Sequence, residues 1–182
     1  MSQTDYLYWL IPNALNDDLC QQILNLSNGK FEKAQIQDVE EIDKIRDSSI
    51  VWTNEKWLYD IVFDYVKKAN VWQMDITAAE NMQITKYAKK GFYNFHKDGS
   101  GFSPYNYPQN KALHNNTRKL SMTALLNDDF KGGEFQFYND KPIKMNKGDI
   151  IFFPSFEFHR VLPISEGVRH SLVTWFVGPT LK

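Results

Sequence analysis

Three side chains in the second half of this sequence could share one metal ion. His96-Lys97-Asp98 supplies two of them and His159 the third. Two histidines and a carboxylate on one face of an iron leave its other positions open, which is the ligand set of non-heme Fe(II) oxygen chemistry. On a strand, residues i and i+2 point to one face, so His96 and Asp98 can reach one ion from one strand end. That short pattern also arises by chance, and a surface Asp beside a His is its blander reading. His159 strengthens the case. It follows the apolar run Ile150-Ile151-Phe152-Phe153 and the Pro154-Ser155 turn, at the start of a strand carrying Val161. A facing sheet could bring it opposite the first pair. Of the other histidines, His114 lies in a polar loop. His170 sits between Arg169 and Ser171 and so faces away from both.

Arg169 and Ser171 share a strand face and could hold a carboxylate, the arginine through a planar bidentate fork. A dicarboxylate such as 2-oxoglutarate would chelate iron at its keto-acid end and reach these two groups at the other. An arginine at the head of the largely apolar run Arg169–Val177 needs a partner. Val173 and Trp175 continue its face as candidate pocket walls. Tyr87 and Tyr93 flank His96 and offer further hydroxyls to the same carboxylate, or serve as core tyrosines.

The elements that must position these groups follow from hydrophobic period and turn residues. Asn16-Asp17-Asp18, then Leu19, Ile23, Leu24 and Leu26, predict a first helix stopped by Asn28-Gly29. Trp57, Leu58, Ile61, Val62, Tyr65 and Val66 predict a second over about 54–70, capped by Thr53 or Asn54. Strands are predicted over 82–87, 92–98, 120–126, 134–138, 149–153, 158–162 and 169–177, separated by Gly, Pro, Asn and Asp clusters. Helices first and strands later read as α+β, mainly β. The architecture expected is a jelly roll over 81–178 buttressed by helices within 1–80, in a single domain spanning 1–182. The long polar stretch 99–117, holding Phe102, Tyr105 and Tyr107, is a candidate lid.

A net charge of −1 offers no general basic field, so general nucleic-acid binding is not expected, while a local basic patch stays open. The single cysteine, Cys20, rules out an intrachain disulfide and a cysteine-based zinc site, and fits a cytoplasmic location. Met1–Leu10 does not read as a signal peptide, and no apolar run approaches membrane-spanning length.

The order of short elements is more specific than any one of them. Tyr87-x3-Gly91-x-Tyr93-x2-His96-x-Asp98 is followed by Arg118-Lys119-Leu120-Ser121, Leu126-Asn127 and Gly132-Gly133-Glu134-Phe135. Lys147-Gly148-Asp149, Phe153-Pro154-Ser155, His159-Arg160-Val161 and Gly167-x-Arg169-x-Ser171 come next, closing on Trp175. This series, over about residues 82–178, resembles the prolyl 4-hydroxylase-like branch of the Fe(II)/2-oxoglutarate dioxygenases. The resemblance implies a double-stranded β-helix and His96, Asp98 and His159 as iron ligands. It implies Arg169 with Ser171 at the far carboxylate of 2-oxoglutarate, and Tyr87 and Tyr93 touching the co-substrate or shaping its pocket. O2 would be consumed, with ascorbate as a candidate reductant, and the expected oligomeric state is a monomer or homodimer. The expected reaction is hydroxylation of an unactivated C–H bond, foremost 4-hydroxylation of a proline in a peptide or protein, releasing succinate and CO2. Alternatives are the same chemistry on a free amino acid, another side chain or a nucleobase, and a metal-binding cupin-like module without oxygenase activity. The chain departs from collagen-type members, which carry lysine where it has Arg169, and its glycine after Tyr87 comes one position late.

Overall fold

The structure, a computed structural model, describes residues 7–35 and 44–181. The first six residues of the Met1–Leu10 stretch lie outside them. The elements in order are β1 (Trp9–Ile11), α1 (Asp17–Leu26), β2 (Glu32–Lys33), β3 (Arg46–Asp47), β4 (Ser49–Thr53), α2 (Lys56–Ala69), β5 (Ala78–Ala79) and β6 (Met82–Tyr87). Then follow β7 (Phe92–His96), β8 (Thr117–Leu125), β9 (Phe130–Gly132), β10 (Phe135–Phe137), β11 (Ile150–Pro154), β12 (His159–Val161), β13 (Ile164–Gly167) and β14 (Arg169–Gly178).

The strands form a mainly β, antiparallel double-stranded β-helix with helices on one side. An eight-stranded sheet runs β1-β11-β8-β14-β6-β4-β2, with β5 also on β14, and a four-stranded sheet runs β10-β12-β7-β3. The expectation of helices alone before residue 80 is corrected: five short strands lie there as well, and four of them extend the large sheet. They were missed because runs of two to five residues are too short to display a period.

Alternation along the large sheet divides the core. Met82 and Ile84, Leu120, Met122 and Ala124, Ile150 and Phe152, and Leu172 and Phe176 pack with Cys20 and Ile23 of α1 and Leu58, Val62 and Val66 of α2. Burial of such a side chain is worth ~1.5–3 kcal/mol. The alternate residues Tyr87, Ile151 and Phe153 meet Phe135, Phe137 and Val161 from the small sheet. Arg169, Ser171, Val173 and Trp175 share this inner parity, so the strand that anchors the helix layer also walls the space between the sheets.

The helix boundaries have local causes. The Asn16 side chain accepts from the Leu19 amide at 2.8 Å, capping α1 as the sequence predicts. The cap of α2 falls on Glu55, without a side-chain bond, instead of Thr53 or Asn54, because Ser49–Thr53 is drawn into the sheet beside β6. Gly148 adopts φ +86°, and a Cβ there would lie 2.0 Å from the Leu15 carbonyl oxygen. Beside it the buried Asp149 carboxylate accepts from the amides of Asn13 and Asn146 at 2.9 and 2.7 Å. The Lys147-Gly148-Asp149 element thus ties the approach of α1 to the turn before β11. Among the described residues no helix is long and apolar enough to cross a membrane.

Candidate active site

His96 and His159 pair directly across β7 and β12. Each Nδ1 lies close to a backbone carbonyl two residues back, Asn94 O at 2.8 Å and Glu157 O at 2.9 Å. A carbonyl can only accept, so both Nδ1 atoms carry the proton and both Nε2 lone pairs are free to bind. The predicted strand over 92–98 ends at His96. Asp98 lies just beyond, where its amide and that of Gly99 both donate to the Ser155 carbonyl at 3.0 Å. Its Oδ1 is 3.6 Å from His96 Nε2 and its Oδ2 3.6 Å from His159 Nε2. These separations are too long for hydrogen bonds and suit ligands spaced around one ion. Among the described residues these three form a group that could hold a metal ion, its candidate ligand atoms all within 4.8 Å of one another.

Charge states match that use. Burial pulls the His159 imidazole down to about 4, so it is the neutral ligand form at neutral pH. Burial pushes the Asp98 carboxyl up, but His159, His96 and Arg118 outweigh it and hold the group well below the usual carboxylate range. Tyr93 stacks on His96 with ring centroids 3.5 Å apart, and burial pushes its phenol up to about 12, so it remains a hydroxyl. Phe135 stacks on His159 at 5.3 Å and Phe153 meets it edge-on at 4.7 Å. Both imidazoles are held between rings.

A cavity of about 580 Å³ opens beside the triad, and Tyr87, Tyr93, Arg169 and Ser171 also line it. Arg169 pairs with Tyr87 and Ser171 with Thr85 across β14 and β6. Arg169 is 2% exposed, its Nη1 has no hydrogen-bond partner among the described residues, and burial lowers its pKa. A guanidinium stays charged in a protein, so this buried charge calls for an anion. Gly133 makes room for it: a Cβ there would lie 3.0 Å from Arg169 Cδ and 2.2 Å from Ile164 Cδ1. Arg169, with its unpartnered Nη1, and the His-Asp-His cluster line the same cavity, and these are the two grips a chelating dicarboxylate requires.

Further residues line this cavity beyond those the sequence predicts. Gln83 and Thr85 follow from the same period of two that placed Tyr87. Arg46 lies outside the segment that carried the resemblance; it donates to Ser48 Oγ at 2.7 Å and Gln83 Oε1 at 2.9 Å, with its guanidinium 4.7 Å from the Tyr93 ring centre. Glu80 and Arg118 pair through two 2.7 Å bonds, and the Arg118 guanidinium lies 3.9 Å from the Trp175 ring centre. Nothing in the sequence ties Glu80 to Arg118. His170, as predicted, points away from Arg169, against Phe31. In the 99–117 segment Tyr105 and Tyr107 line the cavity, while Phe102 is largely exposed.

The family described as the 2OG-Fe(II) oxygenase superfamily matches residues 82–177. A relative named as a PKHD-type hydroxylase from Xylella fastidiosa (strain M12) is 32% identical over 98 residues, which cover 51% of this chain and 42% of that protein. The chain therefore spans less than half the length of this bacterial relative. A viral collagen prolyl hydroxylase from Paramecium Bursaria Chlorella virus-1, in its 2OG complex, superposes with a TM-score of 0.72 at 20% identity, covering 96% of this chain and 98% of that one. A prolyl hydroxylase from Trichoplax adhaerens, bound to a hypoxia inducible factor peptide fragment, gives 0.71 at 21%, covering 95% and 84%. At these identities the structural likeness is one of fold.

Proposed function

The chain belongs to the 2OG-Fe(II) oxygenase superfamily, and from that premise we propose that it hydroxylates a prolyl residue of a peptide or protein substrate. In this reading His96, Asp98 and His159 hold Fe(II), and Arg169 and Ser171 take the far carboxylate of 2-oxoglutarate, with Tyr87 and Tyr93 closing its pocket. Iron bound there supplies the oxidising chemistry, in which 2-oxoglutarate, O2 and a substrate C–H bond become succinate, CO2 and a C–OH group.

The remaining work belongs to the chain. Asp98 stays ionised and offsets part of the cation's charge. The two imidazoles are aimed by their Nδ1–H bonds to Asn94 and Glu157, and His159 stays neutral. Arg169 fixes the far end of the co-substrate, so its keto-acid end is set against the triad. Rings of Tyr93, Phe135 and Phe153 exclude water from the histidines. Trp52, Tyr105 and Tyr107 also line the cavity, Trp52 and Tyr107 partly exposed, with Tyr105 5.3 Å from Tyr107 between ring centres. Flat apolar faces of this kind suit proline rings of an extended peptide. The prolyl and peptide parts of the reading draw support from the names of the relatives and from the peptide-bound neighbour.

The observation that carries the proposal is Arg169, a buried guanidinium with an unpartnered Nη1, lining the cavity that also holds the three ligands. The test is an anaerobic titration with Fe(II) and 2-oxoglutarate, followed by visible absorption. Wild type is expected to develop a metal-to-ligand charge-transfer band that His96→Ala lacks. Proline-containing peptides incubated with O2 and ascorbate should then gain one oxygen, located on proline by fragmentation. Folded wild type that binds iron but gives no band would overturn the oxygenase site; a band with oxygen gained only on other residues would overturn the prolyl assignment.

A further inference from the structure

Glu80 sits between β5 and β6, and its carboxylate gathers Arg118, just past one end of the 99–117 segment, and Tyr105 within it. Arg118 Nε donates to Oε1 at 2.7 Å and Arg118 Nη2 to Oε2 at 2.7 Å. The Tyr105 hydroxyl also donates to Oε1 at 2.7 Å. The third guanidinium nitrogen, Arg118 Nη1, donates to the backbone carbonyl of Asp98 at 3.1 Å. Asp98 and Arg118 bracket the 99–117 segment, and Tyr105 lies within it. One carboxylate therefore connects the cover to the backbone that carries a proposed iron ligand.

The anchor itself is held. The Glu80 amide donates to the Trp175 carbonyl at 2.9 Å, and its carbonyl accepts from Tyr59 Oη and Thr174 Oγ1, each at 3.1 Å. These fix it to α2 and to β14, the two parts of the helix-backed layer. The Glu80 and Arg118 side chains are 12% and 22% exposed, so their bidentate pair is shielded from water and worth more than a surface pair. The 99–117 segment has its own ladder: Tyr105 and Asn115–Asn116 exchange backbone bonds of 2.8 and 3.0 Å. The segment thus folds back on itself and is hooked to Glu80 at Tyr105.

We propose that Glu80 is a positioning residue, which through Arg118 sets the Asp98 backbone and through Tyr105 holds the 99–117 cover against the cavity. The iron arm of this inference rests on the proposed function; the cover arm does not. Glu80→Gln removes the charge and one acceptor. It is expected to weaken Fe(II) binding by roughly 10- to 100-fold, the usual effect of losing an outer partner of a ligand. It should also raise amide hydrogen exchange across 99–117 by at least about 10-fold, given local opening in place of global unfolding. Tyr105→Phe keeps the Arg118 pair, so it should reproduce the faster exchange in 99–117 and leave Fe(II) affinity within about 2-fold.

Glu80→Gln with wild-type iron affinity and wild-type exchange in 99–117 overturns the proposal. So does exchange that rises equally in α1, β8 and β14, since that marks a purely structural role. If wild type gives no charge-transfer band with Fe(II) and 2-oxoglutarate, the proposed function fails, and the exchange of 99–117 in the metal-free variants still decides whether Glu80 holds the cover.

Discussion

Arg169 brings a charge into the space between the sheets without a hydrogen-bond partner for Nη1 among the described residues. Such a group costs stability in the empty protein and is justified by what it binds. Arg169→Met keeps the length of the stem and removes the charge. The metal-free variant is expected to be as stable as wild type or more stable by about 1–4 kcal/mol, as when buried charges are replaced by apolar groups. On the proposed function it should also lose about 2–5 kcal/mol of 2-oxoglutarate affinity, because a desolvated charge pair is gone. Thermal unfolding with and without Fe(II) and 2-oxoglutarate reads both effects. A variant that unfolds earlier when empty and still gains wild-type stability from 2-oxoglutarate would show that Arg169 has a structural partner. The presence of a charged residue in an apolar run was legible in the sequence. The room it occupies was not, because Gly133 and Ile164 reach it from segments distant along the chain.

At the scale of the element, β14 does two jobs through one alternation. Leu172 and Phe176 belong to the helix-backed core, while Arg169, Ser171 and Trp175 line the cavity. Neighbouring substitutions should therefore separate stability from binding. Leu172→Ala is expected to cost ~2–5 kcal/mol in denaturant unfolding and to leave 2-oxoglutarate affinity in the folded fraction near wild type. Ser171→Ala should do the reverse: a stability change under about 1 kcal/mol, and weakening of 2-oxoglutarate by roughly 10- to 100-fold through loss of a bond to a charged group. Equal effects on both properties from either substitution would contradict the division of the strand. This alternation was readable because ten residues of β14 display a full period. The same reading failed at β2, β3 and β5, each two residues long, and it overran at β7, where Asp98 leaves the ladder to meet the Ser155 carbonyl. Strand pairing, not local pattern, decides where such short elements begin and end.

The whole molecule draws the candidate site from both layers. His96 and His159 belong to the small sheet, while Arg169 and Ser171 belong to the large one. The sequence carried the order of these residues but not the pairing of β7 with β12, nor the link from Glu80 to Arg118, since both join segments distant along the chain. Anything that grips the triad and Arg169 at once acts as a cross-link between layers. Fe(II) alone touches one layer in this reading; Fe(II) with 2-oxoglutarate spans both. At a free ligand concentration of 100 times Kd, binding to the folded state adds about 2.7 kcal/mol, which for a chain of this length is a rise in Tm of about 5–10 °C. The pair of ligands should slow amide exchange in β14 and β12 together, whereas Fe(II) alone should act mainly on β7 and β12. A chelator should reverse both. Protection confined to the small sheet when both ligands are present would mean that 2-oxoglutarate does not reach Arg169, and the division of labour between the two sheets would have to be redrawn.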